Sequence, residues 1–353
     1  LEDTSPNHRW DEIVTKYRNQ TLEVMDFVFN ELIPQDKFQQ IVDALDLVEE
    51  YWFPKSLELR QEINGIANIL DIQPGLVLLL NVVYELVSGC TSIIAQHSPT
   101  GAIWHGRNLD FDIPNLQSIT VNVRFVVNRN KSDKNRVLYE GTTYVGLVGL
   151  FTGMRPDAFS LSQDQRETDH GNIWDNVVEW IFKGGRSVSF LYREVLQTAP
   201  DFDTALTMLQ ETPLIAPGYI VIGGTKSGEG AVVSRDRNGP ADTWMIEYDD
   251  SENGTNRNRW FLVETNDDHW RPPKDSRRQA TNNNMKHIIR CPENVSHDTL
   301  FKVLNQPPTL NELTTYTTIM SAGQNYYQST IQYYGMNDSF TTFDDSVSSW
   351  TYA

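Results

Sequence analysis

A chain of 353 residues with 39% hydrophobic and 11% aromatic residues can build a large core, in one domain or two. Its formal net charge of −18 repels phosphate, which argues against nucleic acid as a partner. Two cysteines, Cys90 and Cys291, exclude a disulfide-rich secreted scaffold, and no run reaches the roughly 18 apolar residues that span a bilayer.

The first 89 residues read as helices. Trp10, Ile13 and Tyr17 recur at helical spacing, as do Leu22, Met25, Val28, Phe29 and Leu32, then Ile41, Leu45 and Val48, with Pro34, Pro54 and Pro74 as punctuation. Core-facing amphipathic helices are the first reading, and contact of some apolar faces with a membrane surface is the second. The densest apolar run, Gly75 to Val87, carries Asn81 and Glu85. No signal peptide is visible at Leu1, which is not Met, as expected of a chain processed at that end. At Gly89 the character changes. Cys90 to Gln96 reads as a strand, His97 to Gly101 as a turn and Ala102 to His105 as the returning strand.

Further strands are predicted at Ile119–Val127, Val137–Val145, Gly218–Ile222, Ala231–Arg235, Thr243–Glu247, Trp260–Glu264, Thr314–Met320 and Ser329–Tyr334. Helices are predicted at Ile173–Phe182, Val188–Leu196, Arg277–Ile289 and His297–Leu304, and an extended tail from Gly335. There is no regular βα alternation, so the fold class is α+β with layered sheets and helices. The glycine-rich stretch Gly223 to Gly230 lacks phosphate-loop spacing and reads as a hairpin turn. Five Asn-x-Ser/Thr triplets, at Asn19, Asn130, Asn253, Asn294 and Asn337, suggest a glycoprotein of the secretory pathway, lysosomal or extracellular.

The residues that carry chemistry lie in Gly89-Cys90-Thr91-Ser92, in His105-Gly106-Arg107-Asn108-Leu109-Asp110 and, much later, in Glu264-Thr265-Asn266. A thiol amidase needs a nucleophilic sulfur, a base, an orienting charge and donors for an oxyanion. Breaking the Gly89–Cys90 bond would give Cys90 a free α-amino group. Its unperturbed pKa of roughly 7.7–8 suits it as base for its own side chain. Arg107 and Asp110, on the returning strand, can be brought beside Cys90 by the hairpin. Arg107 can lower a thiol pKa, and Asn266 can donate to an oxyanion. Read as residues alone, a structural cysteine and an Arg–Asp salt bridge remain open as alternatives. The seven histidines show no metal-ligand spacing, and His105 is read as structural. No metal or organic cofactor is implied.

These stretches resemble the acid ceramidase and N-acylethanolamine acid amidase family of N-terminal nucleophile hydrolases. The similarity runs through CTSIIAQ from Cys90, HGRNLDF from His105, YEGTTYVGLVGLFTG from Tyr139 and TPLIAPGYIVIGG from Thr212. It continues through SRDRNGPAD from Ser234, VETNDDHW from Val263 and TTYTTIMSAG from Thr314. The DHW, GPAD and MSAG forms are more similar to the amidase branch. The resemblance implies a four-layer αββα core and autocleavage into a 1–89 α chain and a 90–353 β chain, held as a heterodimer. It also implies acidic activation, and hydrolysis of fatty-acid N-acyl amides through a thioester. By matched position it makes Cys90 the nucleophile, Arg107 and Asp110 its partners and Asn266 the oxyanion residue. Arg277 matches a further polar site residue, and Cys291 is implied to be a free thiol. The apolar α chain and loops such as that of Phe151 would hold the acyl tail.

Three positions depart from the family pattern: Gln165 stands where Glu is usual, Leu147 where Tyr is usual, and Asp267 where Tyr follows the site Asn. Gln165 cannot titrate, and Leu147 and Asp267 should change the headgroup end of the pocket. They motivate a second reading, a relative that stays uncut and binds a hydrophobic ligand.

Overall fold

The computed structural model describes residues 5–33, 35–36, 38–52, 57–83, 89–127, 136–166, 185–248 and 258–334. The helix expected at Ile173–Phe182, the tail from Gly335, and Asn130, Asn253 and Asn337 lie outside the described residues.

A single turn at Pro6–His8 leads into α1 (Asp11–Lys16), α2 (Arg18–Glu31), α3 (Phe38–Trp52), α4 (Leu57–Leu70) and α5 (Pro74–Val83). Their periodic apolar positions, such as Ile13, Val14, Val24, Met25, Val28 and Leu45, are buried. The densest apolar run is also core: Val77, Leu78, Leu79, Leu80 and Val82 are all buried. Among the described residues no single helix is long and apolar enough to cross a membrane. Gly65 lets the Pro6–His8 turn lie against α4, since a Cβ there would sit 2.0 Å from the Asn7 carbonyl oxygen.

Two antiparallel sheets follow. One contains β1 (Gly89–Gln96), β2 (Ile103–Asp110), β12 (Phe261–Glu264), β13 (Thr314–Ser321) and β14 (Tyr326–Ile331), in the order β12-β1-β2-β13-β14. The other runs β3 to β9 in sequence order: Thr120–Val127, Arg136–Tyr144, Thr152–Arg155, Phe159–Gln165, Gly218–Gly223, Gly230–Arg235 and Pro240–Met245. A short ribbon joins β10 (Glu247–Tyr248) to β11 (Asn258–Arg259). Strand β1 is central, paired with β12 on one side and β2 on the other, so alternation gives it two buried faces. Ile93 and Ala95 pack with Leu300, Val303 and Leu304 of α9 (His297–Leu304), beside α8 (Arg277–Asn284). Cys90, Ser92 and Ile94 face the second sheet, whose outer side carries α6 (Val188–Thr198) and α7 (Phe202–Glu211). Helices, sheet, sheet and helices make the expected α+β layering.

Several elements and boundaries differ from expectation. Strands β5 and β6 and helix α7 were not anticipated. β9 begins at Pro240, because an edge strand tolerates a first-residue proline, and a bulge between Ser234 and Arg235 shifts its register. β14 begins at Tyr326, because a tight turn at Ala322–Gln324, closed by Asn325 at φ 49°, returns the chain at once.

One buried charge cluster joins the helical segment to the layered core. Glu62 of α4 is fully buried and accepts from Arg193 of α6 (Nη2 to Oε1 3.0 Å), from Trp10 Nε1 at 2.7 Å and from Arg9. The two guanidiniums hold its carboxyl below the usual carboxylate range against the opposing effect of burial.

Candidate active site

Pairing of β1 with β2 sets Gly89 opposite Asp110, Cys90 opposite Leu109 and Ser92 opposite Arg107. Directly opposed residues share a face, so Arg107 emerges beside Cys90 in the space between the sheets, while Asp110 lies on the helix-facing side under Gly89. The hairpin thus delivers both sequence-predicted partners, to opposite sides of one strand.

Arg107 is 1% exposed, with Nη2 3.0 Å from Cys90 Sγ. The same nitrogen donates to the Gln163 carbonyl at 2.7 Å, while Nη1 donates to the Phe151 carbonyl at 2.9 Å and to Thr152. The Tyr316 ring lies 5.9 Å from the guanidinium carbon. These neutral acceptors aim a buried cation at sulfur without consuming its charge. The thiol is nevertheless pushed up to about 12: burial outweighs Arg107, and Asp164 and Asp110 add to the rise. With the Gly89–Cys90 bond intact, as in this structure, Cys90 is therefore a neutral thiol.

Asp110 accepts from Thr314 Oγ1 at 2.7 Å, from Asn311 Nδ2 at 3.0 Å and from Arg277 Nη1 at 3.4 Å. Burial raises its carboxyl, and these donors oppose the rise. Arg277, at the start of α8, touches most of the assembly. It donates from Nη1 to the Cys90 carbonyl at 2.7 Å and from Nη2 to Asn266 Oδ1 at 2.8 Å. Asp275 braces it at 2.9 Å and 2.7 Å.

Asn266 follows β12. Its Oδ1 accepts from the Cys90 backbone N–H at 3.0 Å, and its Nδ2 donates to the Gln165 carbonyl at 2.9 Å. The expectation that Nδ2 faces an oxyanion thus meets a different arrangement: that donor is engaged, and the oxygen holds the Cys90 nitrogen.

The supporting positions separate. Gln165 serves Asn266 through its main chain, and Phe151 serves Arg107 through its carbonyl while its ring is buried in the core. Leu147 is fully buried in the same core. The Asp267 carboxylate accepts from the Lys274 N–H at 2.9 Å, so it shapes the loop after Asn266. Cys291 is a partly buried free thiol.

His105 is structural as expected. It is fully buried, with Nδ1 3.0 Å from Ser160 Oγ and Nε2 2.8 Å from Ser162 Oγ. Burial, then Arg107, pushes it down to about 3. Folded, it stays neutral above that value; unfolded, it takes a proton below 6.5. It therefore removes stability as pH falls from 6.5 toward 3. His105→Gln should cost less stability at pH 4.5 than at pH 7.5, by about 2–3 kcal/mol, in urea unfolding at the two pH values. An equal cost at both would contradict a neutral His105.

The residues missed from sequence are Asp164, whose carboxyl adds to the rise of the thiol, and Asn311 and Thr314, which hold Asp110; Ser92, in the run singled out, donates to Asp164 at 2.8 Å. The available signal was the alternation of Ser160, Ser162 and Asp164 against Phe159, Leu161 and Gln163.

A family model for linear amide C–N hydrolases, choloylglycine hydrolase family, matches residues 90–288 and so begins at Cys90. The N-acylethanolamine-hydrolyzing acid amidase of Cavia porcellus is 37% identical over 324 residues, covering 91% of this chain and 85% of that protein. The acid ceramidase of Homo sapiens is 32% identical over 348 residues, covering 92% and 83%. The solved structure of a Caenorhabditis elegans N-acylethanolamine-hydrolyzing acid amidase ortholog superposes with a TM-score of 0.57 at 35% identity, covering 66% of this chain and 93% of that one. With a thiol, a buried guanidinium and an Asn–Arg pair gathered at the residue where the family match starts, the chain belongs to the choloylglycine hydrolase family and is a hydrolase of linear amide C–N bonds.

Proposed function

We propose that this protein hydrolyses N-acyl amides of fatty acids, of the N-acylethanolamine or ceramide kind, through Cys90 released as an N-terminal nucleophile. The observation that carries the reading is the arrangement around Cys90: Arg107 3.0 Å from its sulfur and Asn266 Oδ1 3.0 Å from its nitrogen. Both atoms that an N-terminal nucleophile uses are already addressed. The substrate class follows the relatives, and the amidases are nearer than the ceramidases by identity.

In the cut form the Cys90 nitrogen is an amine, with an unperturbed pKa of roughly 7.7–8, and takes the thiol proton. Sulfur attacks the amide carbon, the carbonyl becomes an oxyanion, and the amine leaves with the proton. Water then cleaves the thioester and restores the thiol. Arg107 stabilises the sulfur anion. Asn266 Nδ2 can serve the oxyanion by exchanging its Gln165 partner. Removal of the link at Gly89 leaves 1–89 and 90–353 as two pieces.

An acidic compartment of the secretory pathway, lysosomal or extracellular, suits the acidic composition and the five sequons. Of the two described, Asn19 is exposed in the first turn of α2, and Asn294 is exposed but donates from Nδ2 to the Ile289 carbonyl at 3.0 Å.

The test is amino-terminal sequencing after incubation near pH 4.5. A new terminus reading Cys-Thr-Ser-Ile is expected. An intact chain that turns over no lipid amide supports the second reading, a ligand-binding relative.

A further inference from the structure

Strand β6 turns Ser160, Ser162 and Asp164 into the space between the sheets, and all three are buried. Polar partners meet them from the opposite sheet. His105 bridges Ser160 and Ser162; Ser162 Oγ lies 2.9 Å from Ser92 Oγ; and Ser92 donates to Asp164 Oδ1 at 2.8 Å. This row ends at the nucleophile, since the Asp164 carboxyl lies beside the Cys90 thiol, and its Oδ2 has no aligned donor.

The surroundings of Asp164 decide what it can do. Strand β1 contributes Cys90 and Ser92, and β2 contributes Arg107. From β12 comes Glu264, fully buried, whose carboxyl burial raises well above its ordinary range. From α6 comes Tyr192, whose hydroxyl donates to the Ser162 carbonyl at 2.8 Å. On β7 the cross-strand neighbour Tyr219 gives its hydroxyl to Asp268. The cations acting on Asp164 are Arg107 and, from α8, Arg277.

We propose that Asp164 is a positioning residue for Cys90, a buried carboxyl held by Ser92 on the face that carries Cys90 and Arg107, which competes with the sulfur for the Arg107 charge and so governs whether Cys90 can carry negative charge. The proposal rests on Cys90 being the nucleophile. The buried Arg107 charge acts on both acids in a dry site, so their charges compete. With Asp164 ionised, a thiolate beside it is disfavoured. With Asp164 protonated, the Arg107 charge is available to sulfur, and the carboxyl O–H can donate to it. Burial pushes Asp164 up to about 7, so its charge changes between neutral and mildly acidic solution. Gln165, the neighbour that cannot titrate, is not needed for a pH response.

The test compares rates of self-cleavage, by denaturing gel, and of hydrolysis of a fluorogenic N-acyl amide, from pH 4 to pH 8. The full chain is used, as parent and as Asp164→Asn, which keeps an acceptor for Ser92 and removes the charge. The parent rate is expected to fall as pH rises through about 7. In Asp164→Asn this fall should disappear, raising the ratio of kcat at pH 8 to that at pH 5 by about tenfold or more with KM little changed, the equivalent of one pKa unit. Coincident pH profiles overturn the proposal. If Asp164→Asn does not fold, Ser92→Ala removes the donor that favours the ionised carboxyl and should move the same fall toward higher pH; an unmoved profile overturns it as well. A Cys90→Ala chain that still cleaves, or a parent that neither cleaves nor hydrolyses the amide, sinks the nucleophile assignment instead.

Discussion

Cys90→Ala is expected to leave the chain in one piece and to lower amide turnover on the order of 10⁴–10⁶-fold, the scale seen when a covalent nucleophile is removed. The structure makes this substitution a clean test. The side chain is small and fully buried, so losing sulfur leaves a small void costing about 1 kcal/mol. Arg107 loses one acceptor but keeps the Gln163 and Phe151 carbonyls, so its position should hold. Asn266 still receives the backbone N–H of residue 90, which does not depend on the side chain. Circular dichroism and the melting temperature should therefore stay near the parent values while both reactions vanish. A variant that kept full amidase activity would show that the sulfur is not the nucleophile.

Glu62→Gln should be the most damaging change far from the site. Two guanidiniums, Arg9 and Arg193, are buried against this carboxylate. Neutralising it leaves Arg193 buried without its carboxylate and Arg9 with only the more exposed Glu58 at 2.7 Å, and breaking a buried pair from one side costs about 3–5 kcal/mol. The measurement is urea unfolding in the Cys90→Ala background, where the chain stays whole. A lower midpoint with an unchanged m-value is expected. Replacing the cluster with apolar side chains at Glu62, Arg9 and Arg193 together should recover part of the loss. A shift below about 1 kcal/mol for Glu62→Gln would mean that the two arginines find other partners.

Much of the site was legible because its residues lie in short runs whose local structure follows directly from the sequence. The runs CTSIIAQ and HGRNLDF are strands on both sides of an evident turn, and a hairpin leaves few ways to arrange Cys90, Arg107 and Asp110. Arg277 was given only by matched position, although it contacts Cys90, Asp110 and Asn266, because a helix start after a long loop carries no local sign of what it faces. Strand β6 was missed for a more general reason. Polar alternation normally marks a solvent face, and here Ser160, Ser162 and Asp164 point inward because His105 and Ser92 of the facing sheet meet them there. Glu62 was hidden likewise: a glutamate on an amphipathic helix is assigned to water unless its distant arginines are known.

The helical segment meets the core through side chains such as Glu62 and Arg193, and up to Gly89 the peptide chain also ties the two together. Cutting that tie would change the order of the folding reaction. The uncut chain unfolds and refolds as one molecule at any dilution; the two pieces, once separated, must find each other. Recovery after denaturation would then depend on protein concentration and fall as the sample is diluted. A cut sample that unfolds at the same temperature as the parent should still fail to return at low concentration, which makes the break a one-way step for any molecule that loses its partner.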